Sequence, residues 1–174
     1  MEKVRDKENE KNIWLTFSPI KQNPLNFVIQ KGTELGVQKF IPILSDRTVV
    51  RKINIERVKK IIIEASEQSN RILVPQINKR ILLKYFLSIF PKNGSLIFCD
   101  NHSNENNLKN IFQKKVDGPI CILIGPEGDF SENERKAIID HNQIRSISLG
   151  KNILKAETAA ISAITIVNYY LNLS

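Results

Sequence analysis

CILIGPEGDFSENE, residues 121–134, joins three local signals from which the fold class follows. It opens as an unbroken apolar run, breaks at Gly-Pro-Glu-Gly, and resumes with Ser131 and Glu134 in the S-x-x-E spacing of a helix capping box. A buried strand that passes through a glycine loop into a capped helix is a building unit of parallel sheets flanked by helices.

The same alternation extends outward on both sides. Toward the N-terminus, SLIFCD (95–100) and PICILI (119–124) read as buried strands, with a polar helix near 105–115 between them. IWLTF (13–17) is a short strand. Pro24 opens a helix carrying Leu25, Val28, Ile29 and Leu35, and Gly36 ends it. KFIPIL (39–44) is a further strand, placed at an edge or a bulge by Pro42. Asn54 caps a helix through Ile55, Val58, Ile62, Ala65 and Ser69, and a weaker helix covers about 80–89. On the C-terminal side, SISLG (146–150) is the last strand. The helix after Lys155, AETAAISAITIVNYYL, is apolar nearly all round and so is expected to be buried on more than one side, against the sheet and against a second copy. Residues 1–11 read as a disordered lead-in, and 12–174 as one domain.

Hydrophobic content of 41% and charged content of 25% place the chain among globular proteins rather than disordered ones. The start, MEKVRDKENEKN, has no apolar core of a secretory signal, and the apolar C-terminal stretch is too short and interrupted to span a bilayer, so the expected location is cytoplasmic. Cys99 and Cys121 sit in separate strands without metal-ligand spacing and read as buried, reduced and inert; no metal is expected. His102 and His141 read as surface residues. Of the net charge of +8, most lies in one place: residues 47–84 hold ten basic against three acidic side chains. Such a one-sided run suits either a solvated helix face or a polyanion, RNA or DNA first.

Two loops leave the carboxyl ends of strands for helices, GPEGDFS (125–131) and GKNILKAET (150–158), the edge where open α/β sheets bind ligands. The first carries Glu127 and Asp129 and no lysine, unlike the GxxxxGK[ST] phosphate cradle. Two carboxylates repel a phosphate, so a neutral or cationic small molecule suits the loop better. The alternative is a plain tight turn with Glu127 solvated.

Read together, KGTELGV (31–37), SDRTVV (45–50), EASEQSNR (64–71), IGPEGDFSENE (124–134) and LGKNILKAETAAISA (149–163) resemble the RsmE family of bacterial methyltransferases, which modify N3 of a uridine in 16S ribosomal RNA of the small subunit. The resemblance implies an α/β fold of the SPOUT type, a parallel sheet flanked by helices with a C-terminal deep trefoil knot, which sequence physics alone would have ruled out. It implies S-adenosyl-L-methionine as cofactor, a cation at its sulfonium, held by Leu123, Ile124, Gly125, Pro126, Glu127, Gly128, Leu149, Gly150, Ile153, Leu154 and Thr158. It also implies a homodimer with the site at the subunit boundary, acting on 16S rRNA or the small subunit.

For uridine N3 the imide proton must leave, and charge on O2 and O4 must be stabilised. Lys155 and Arg71 are candidates for the second task and Glu157 for the first, while Arg47, Arg51, Lys52 and Arg71 are candidates to hold RNA. The chain departs from the family pattern in three ways. Lys155 stands where arginine is common, and loses the bidentate fork. Asp129 stands where many members have glycine and is expected to narrow the loop. The sequence starts where the family's N-terminal PUA-like barrel would end, so weaker RNA affinity is expected. Two other functions fit the same residues: a non-catalytic RNA- or ribosome-binding module of the same fold, and a SPOUT enzyme acting on another nucleoside.

Overall fold

The computed structural model describes residues 11–103 and 117–173, with no side-chain detail for Leu173. The expected polar helix near 105–115 and all but the last residue of the expected lead-in lie outside the described residues. Among the described residues, seven strands form one sheet: β1 (Ile13–Phe17), β2 (Val37–Leu44), β3 (Gln76–Ile77), β4 (Ile81–Leu82), β5 (Ser95–Cys99), β6 (Ile120–Ile124) and β7 (Ile144–Ile147). Their order is β3-β2-β1-β6-β5-β7, with β4 also paired to β2, and every pairing is parallel. The helices among the described residues are α1 (Gln22–Glu34), α2 (Ile55–Gln68), α3 (Leu83–Ile89), α4 (Glu132–Ile139) and α5 (Ala156–Leu173).

Period-two geometry explains why β6 is apolar at every position. Ile120, Ile122 and Ile124 point into a core shared with Leu25, Val28 and Ile29 of α1, Val58 and Ile62 of α2, and Ala160, Ala163, Ile164 and Val167 of α5. Cys121 and Leu123 point into a second core, with Leu83, Phe86 and Leu87 of α3 and Phe130 and Ile138 beside α4. The sheet is therefore covered on both faces.

The helix ends follow the sequence. Asn54 Oδ1 accepts the Arg57 N–H at 3.0 Å, and Gly36, at φ +93°, turns the chain after α1. Ser131 and Glu134 form the reciprocal capping box that starts α4.

Several expectations need correction. β2 is not an edge strand, and its bulge lies ahead of Pro42: Ile13 and Trp14 of β1 pair with Val37 and Lys39, leaving Gln38 as the extra residue. Phe40 gives its carbonyl to the Asn78 N–H at 2.9 Å, and Pro42, two residues on, faces the same side. On that side β3 pairs with Lys39 and Phe40 and β4 with Ile43 and Leu44, so the missing proline donor falls in the gap between two short outer strands. Those strands are too brief to leave a periodic signal. The last strand lies at 144–147, earlier than SISLG, because its Ile144 and Ile147 take the register opposite Leu96 and Cys99. The weaker helix begins at Leu83, after β4.

Only one side of α5 is sealed. Ala160, Ala163, Ile164 and Val167 are buried, whereas Ile166, Tyr170 and Leu171 are half-buried and Tyr169 is 63% exposed. A polar tie joins it to the end of α1: Asn168 Nδ2 donates to the Leu35 carbonyl at 2.6 Å, meeting an acceptor that the helix end leaves unpaired. The packing predicts that Ile164→Ala, at a fully buried position, lowers stability by about 3 kcal/mol. A chemical-denaturation midpoint that shifts at unchanged slope would show it.

Candidate active site

Three chain segments meet at the carboxyl edge of the sheet. The end of β5 supplies Phe98, Cys99, Asp100 and Asn101; the loop after β6 supplies Gly125, Pro126, Glu127 and Asp129; and the approach to α5 supplies Leu149, Ile153, Leu154, Ala156 and Ala159. They line a narrow cleft of about 90 Å³.

The glycine loop has specific reasons for its shape. A Cβ on Gly125 would lie 2.9 Å from the Phe130 ring, which is buried and stands edge-on to Phe98 at 5.7 Å between centroids. The Asp129 N–H donates to the Pro126 carbonyl at 2.9 Å, closing a tight turn. Asp129 itself sits in the left-handed region at φ +62°, a conformation that glycine adopts freely and aspartate tolerates through local hydrogen bonds. Its Oδ1 accepts the Phe130 N–H at 2.7 Å, and its Oδ2 lies 3.3 Å from His102 Nε2. The residue therefore keeps the turn that glycine would make. Glu127 is exposed at the cleft wall and has no hydrogen-bond partner among the described residues.

Beneath the loop lies a pair that sequence reading missed. Asp100, 4% exposed, takes a bidentate contact from Arg135 of α4, at 2.5 and 2.6 Å, and accepts the His102 N–H at 2.9 Å. Burial pushes the Asp100 carboxyl up, but the Arg135 hydrogen bonds, the His102 N–H and the guanidinium charge outweigh it and hold the group below its ordinary value. Arg135 is correspondingly raised, by its bond to Asp100 first. The available signal was position: an acid ending a buried strand at the ligand edge of the sheet.

The residues expected around a cofactor divide clearly. Gly125, Pro126, Glu127, Leu149, Ile153 and Leu154 line the cleft. Leu123 and Ile124 are buried inside β6, Gly128 and Gly150 are exposed outside the lining, and Thr158 is exposed on α5. Gly150 has φ +152° and supplies the bend toward α5. Lys155, exposed, and Glu157, half-buried, flank the lining residue Ala156 in sequence and are themselves outside the lining. Glu157 lies in the first turn of α5, where the helix dipole favours a carboxylate.

Arg71 requires correction. Its Nη1 donates to the carbonyls of Thr33 (2.9 Å) and Val37 (2.7 Å), at the end of α1 and the start of β2. That is the amino edge of the sheet, opposite the cleft, so within this chain Arg71 closes a helix end and does not face the site. Arg47 is also engaged, its Nη1 donating to the Gly128 carbonyl at 2.9 Å. Arg51 and Lys52 are exposed. His141 is half-buried rather than superficial, its Nε2 being 3.0 Å from the Leu87 carbonyl and its ring edge-on to Phe90. Burial pushes the thiols of Cys99 and Cys121 up to about 12; Cys121 is fully buried as expected, whereas Cys99 is half-buried and lines the cleft. Among the described residues, no group of three His, Cys, Asp or Glu side chains is placed to hold a metal, and no helix is long and apolar enough to cross a membrane.

Comparison with known proteins fits this geometry. A family model described as an RNA methyltransferase domain matches residues 7–168. Ribosomal RNA small subunit methyltransferase E of Rickettsia conorii is 37% identical over 164 residues, covering 94% of this chain and 66% of its own length. The protein of the same name from Mesomycoplasma hyopneumoniae is 33% identical, over 95% of this chain and 73% of its own. This chain belongs to the ribosomal RNA small subunit methyltransferase E family, RsmE. It spans about two thirds of the length of these relatives. A crystal structure of the Neisseria gonorrhoeae RsmE bound to S-adenosyl methionine superposes with a TM-score of 0.84 at 30% identity, over 95% of this chain and 69% of that one. The parallel sheet flanked by helices expected of RsmE proteins is the one observed.

The Asp100–Arg135 pair yields a pH prediction. A carboxyl with a folded pKa below its unfolded one contributes stability that is complete above the unfolded value, near 4, and is lost as pH falls through the folded value. Asp100→Asn should therefore cost about 2 kcal/mol at pH 7, discounted for the partly exposed Arg135. The difference from the parent should shrink below about pH 4, as melting curves over a pH series would show.

Proposed function

We propose that this chain is an S-adenosylmethionine-dependent RNA methyltransferase whose target is a uridine N3 of 16S ribosomal RNA in the small subunit. The observation that carries the reading is the cleft at the carboxyl edge of β5, β6 and β7, in a chain sharing 30% identity and the same fold with an RsmE solved with that cofactor bound.

The lining fits such a group. It holds no lysine or arginine to select a phosphate, it offers Phe98, Leu149, Ile153 and Leu154 to apolar surface, and Glu127 supplies a carboxylate for a sulfonium. A nucleoside-sized ligand needs roughly 300 Å³ or more, so the 125–130 and 149–154 loops must part to admit it. Ile153, 85% exposed, stands in the second of these loops and lines the cleft. When bound, the cofactor supplies an electrophilic methyl group.

Within this reading the chain's own residues receive and prepare the base. Glu157 takes the N3 proton and Lys155 stabilises the charge left on O2 and O4. Arg51 and Lys52 hold the RNA backbone. Two family features extend the proposal. The C-terminal segment threads as a knot, supported by the path of the chain: from β7, beyond β5, it returns to lay α5 against β6 and α1. The protein pairs with a second copy through the open side of α5, supported by the half-buried Ile166 and Leu171 and the exposed Tyr169. Action on ribosomal RNA supports a cytoplasmic location.

One observation favours a second reading, an RNA-binding module without catalysis: the cleft is narrow, and neither Lys155 nor Glu157 lines it. Calorimetric titration with S-adenosylmethionine separates the two. Micromolar binding, about −8 kcal/mol, is expected, and no binding by the folded chain would favour the module. Lys155→Ala and Glu157→Ala should each slow methylation of small subunits about a hundredfold with cofactor affinity unchanged; parent-like rates would remove both residues from the mechanism.

Charge reversal at Arg51 and Lys52 should weaken RNA binding and reduce the slope of log affinity against log salt by about two, leaving cofactor titration unaltered. An unchanged slope would place the RNA elsewhere.

A further inference from the structure

The turn Ser45–Thr48, which follows β2, is stiff on its own account. The Ser45 N–H donates to Thr48 Oγ1 at 2.9 Å, the two hydroxyls lie 2.8 Å apart, and the Thr48 N–H donates to the Ser45 carbonyl at 3.1 Å. Both residues are buried. The two between them, Asp46 and Arg47, reach across to the loop that forms the cleft wall. Asp46 Oδ2 accepts from Ser131 Oγ at 2.6 Å, and the Asp46 N–H donates to Glu134 Oε1 at 2.9 Å. Glu134 thus divides its carboxylate, with Oε2 kept for its own capping box (3.1 Å to the Ser131 N–H) and Oε1 given to the turn. Arg47 Nη1 donates to the Gly128 carbonyl at 2.9 Å, and its Cδ lies 4.0 Å from where a Gly128 Cβ would stand.

Gly128 sits between Pro126 and Asp129, the two cleft-lining residues that close the tight turn. Arg47 therefore holds the outside of the wall whose inside faces the cleft. A guanidinium carries five N–H donors, and a single one is used on Gly128 among the described residues. The side chain is exposed, and the backbone runs on directly to Arg51 and Lys52.

We propose that Arg47 is a positioning residue for the cleft wall rather than a simple RNA contact. Its remaining donors take an RNA phosphate while Nη1 stays on Gly128, so that RNA and cofactor bind cooperatively through this one side chain. The positioning stands on the geometry alone; the identity of the two ligands rests on the function proposed above.

Hydrogen exchange of the ligand-free chain tests the positioning. Arg47→Ala should speed exchange at the Asp129 and Phe130 amides about tenfold while core strand amides keep parent rates, which also shows that the variant folds. Arg47→Lys should stay near the parent, because one ammonium donor suffices for one carbonyl. Lys60→Ala, which removes the same charge from exposed α2 surface, should leave the loop unchanged. Parent-like loop exchange in Arg47→Ala overturns the positioning role.

The coupling is read by titrating S-adenosylmethionine with and without a short single-stranded RNA containing uridine. RNA should tighten cofactor binding about fivefold in the parent and in Arg47→Lys, and by linkage the cofactor should tighten RNA binding by the same factor. Arg47→Ala should abolish the effect. If that variant loses RNA affinity but keeps both cofactor affinity and coupling, Arg47 is a phosphate contact only and the proposal fails. A parent that binds no cofactor removes the proposed function and the coupling together, and leaves the exchange result to decide the positioning by itself.

Discussion

The burial of β6 on both faces is the constraint from which the rest of the structure follows. β6 pairs with β1 along its whole length and with β5 over Ile120–Leu123, so its side chains on both faces have only protein to meet. Five consecutive apolar residues satisfy that demand, with three facing the core of α1, α2 and α5 and two facing the core of α3 and α4. Because β1, β5, β6 and β7 all run the same way, their carboxyl ends open on one edge. The chain must leave β6 there through a loop tight enough to start α4 at once. The cleft is the space that such a loop leaves beside the end of β5 and the start of α5.

The two acids of that loop serve different ends. Asp129 is a backbone residue in effect: it holds a left-handed turn and hydrogen-bonds its own neighbour. Glu127, also in the cleft lining, makes no hydrogen bond among the described residues and so keeps its carboxylate for a ligand. A third acid, Asp100, is buried at the end of β5 and bound to Arg135, so it fixes α4 against the sheet. Its charge is balanced, and it adds rigidity to the wall without adding net charge to the cleft.

The basic segment shows how little a charge count says about individual side chains. Arg71 ties the end of α1 to the start of β2, Arg47 ties the 45–48 turn to the glycine loop, and Lys59 pairs with Glu56 at 2.9 Å along α2. Arg51, Lys52, Lys60, Lys79, Arg80 and Lys84 remain exposed. The surplus of positive charge survives these internal uses, which is why the segment still suits a polyanion.

Much of the architecture was legible in the sequence because it depends on short-range rules. Strand β6, the capping box at Ser131, the Asn54 cap and the glycine ending α1 each rest on residues within four positions of one another. From these, the parallel sheet and the ligand edge with its two loops follow; Gly125, Glu127, Leu149 and Leu154, which the resemblance to RsmE proteins implied, line the cleft there. Strands β3 and β4 were not legible, since two residues carry no period and their pairing is set by where α2 delivers the chain beside β2. Nor was the Asp100–Arg135 pair, 35 positions apart, or the grip of Arg47 on Gly128, 81 positions apart. Local sequence determines which segments become strands, helices and caps, because propensity and burial act on each segment separately. Which charged side chain meets which carbonyl or carboxylate is decided only in three dimensions, because long side chains take their partners from whatever the packed backbone brings within reach.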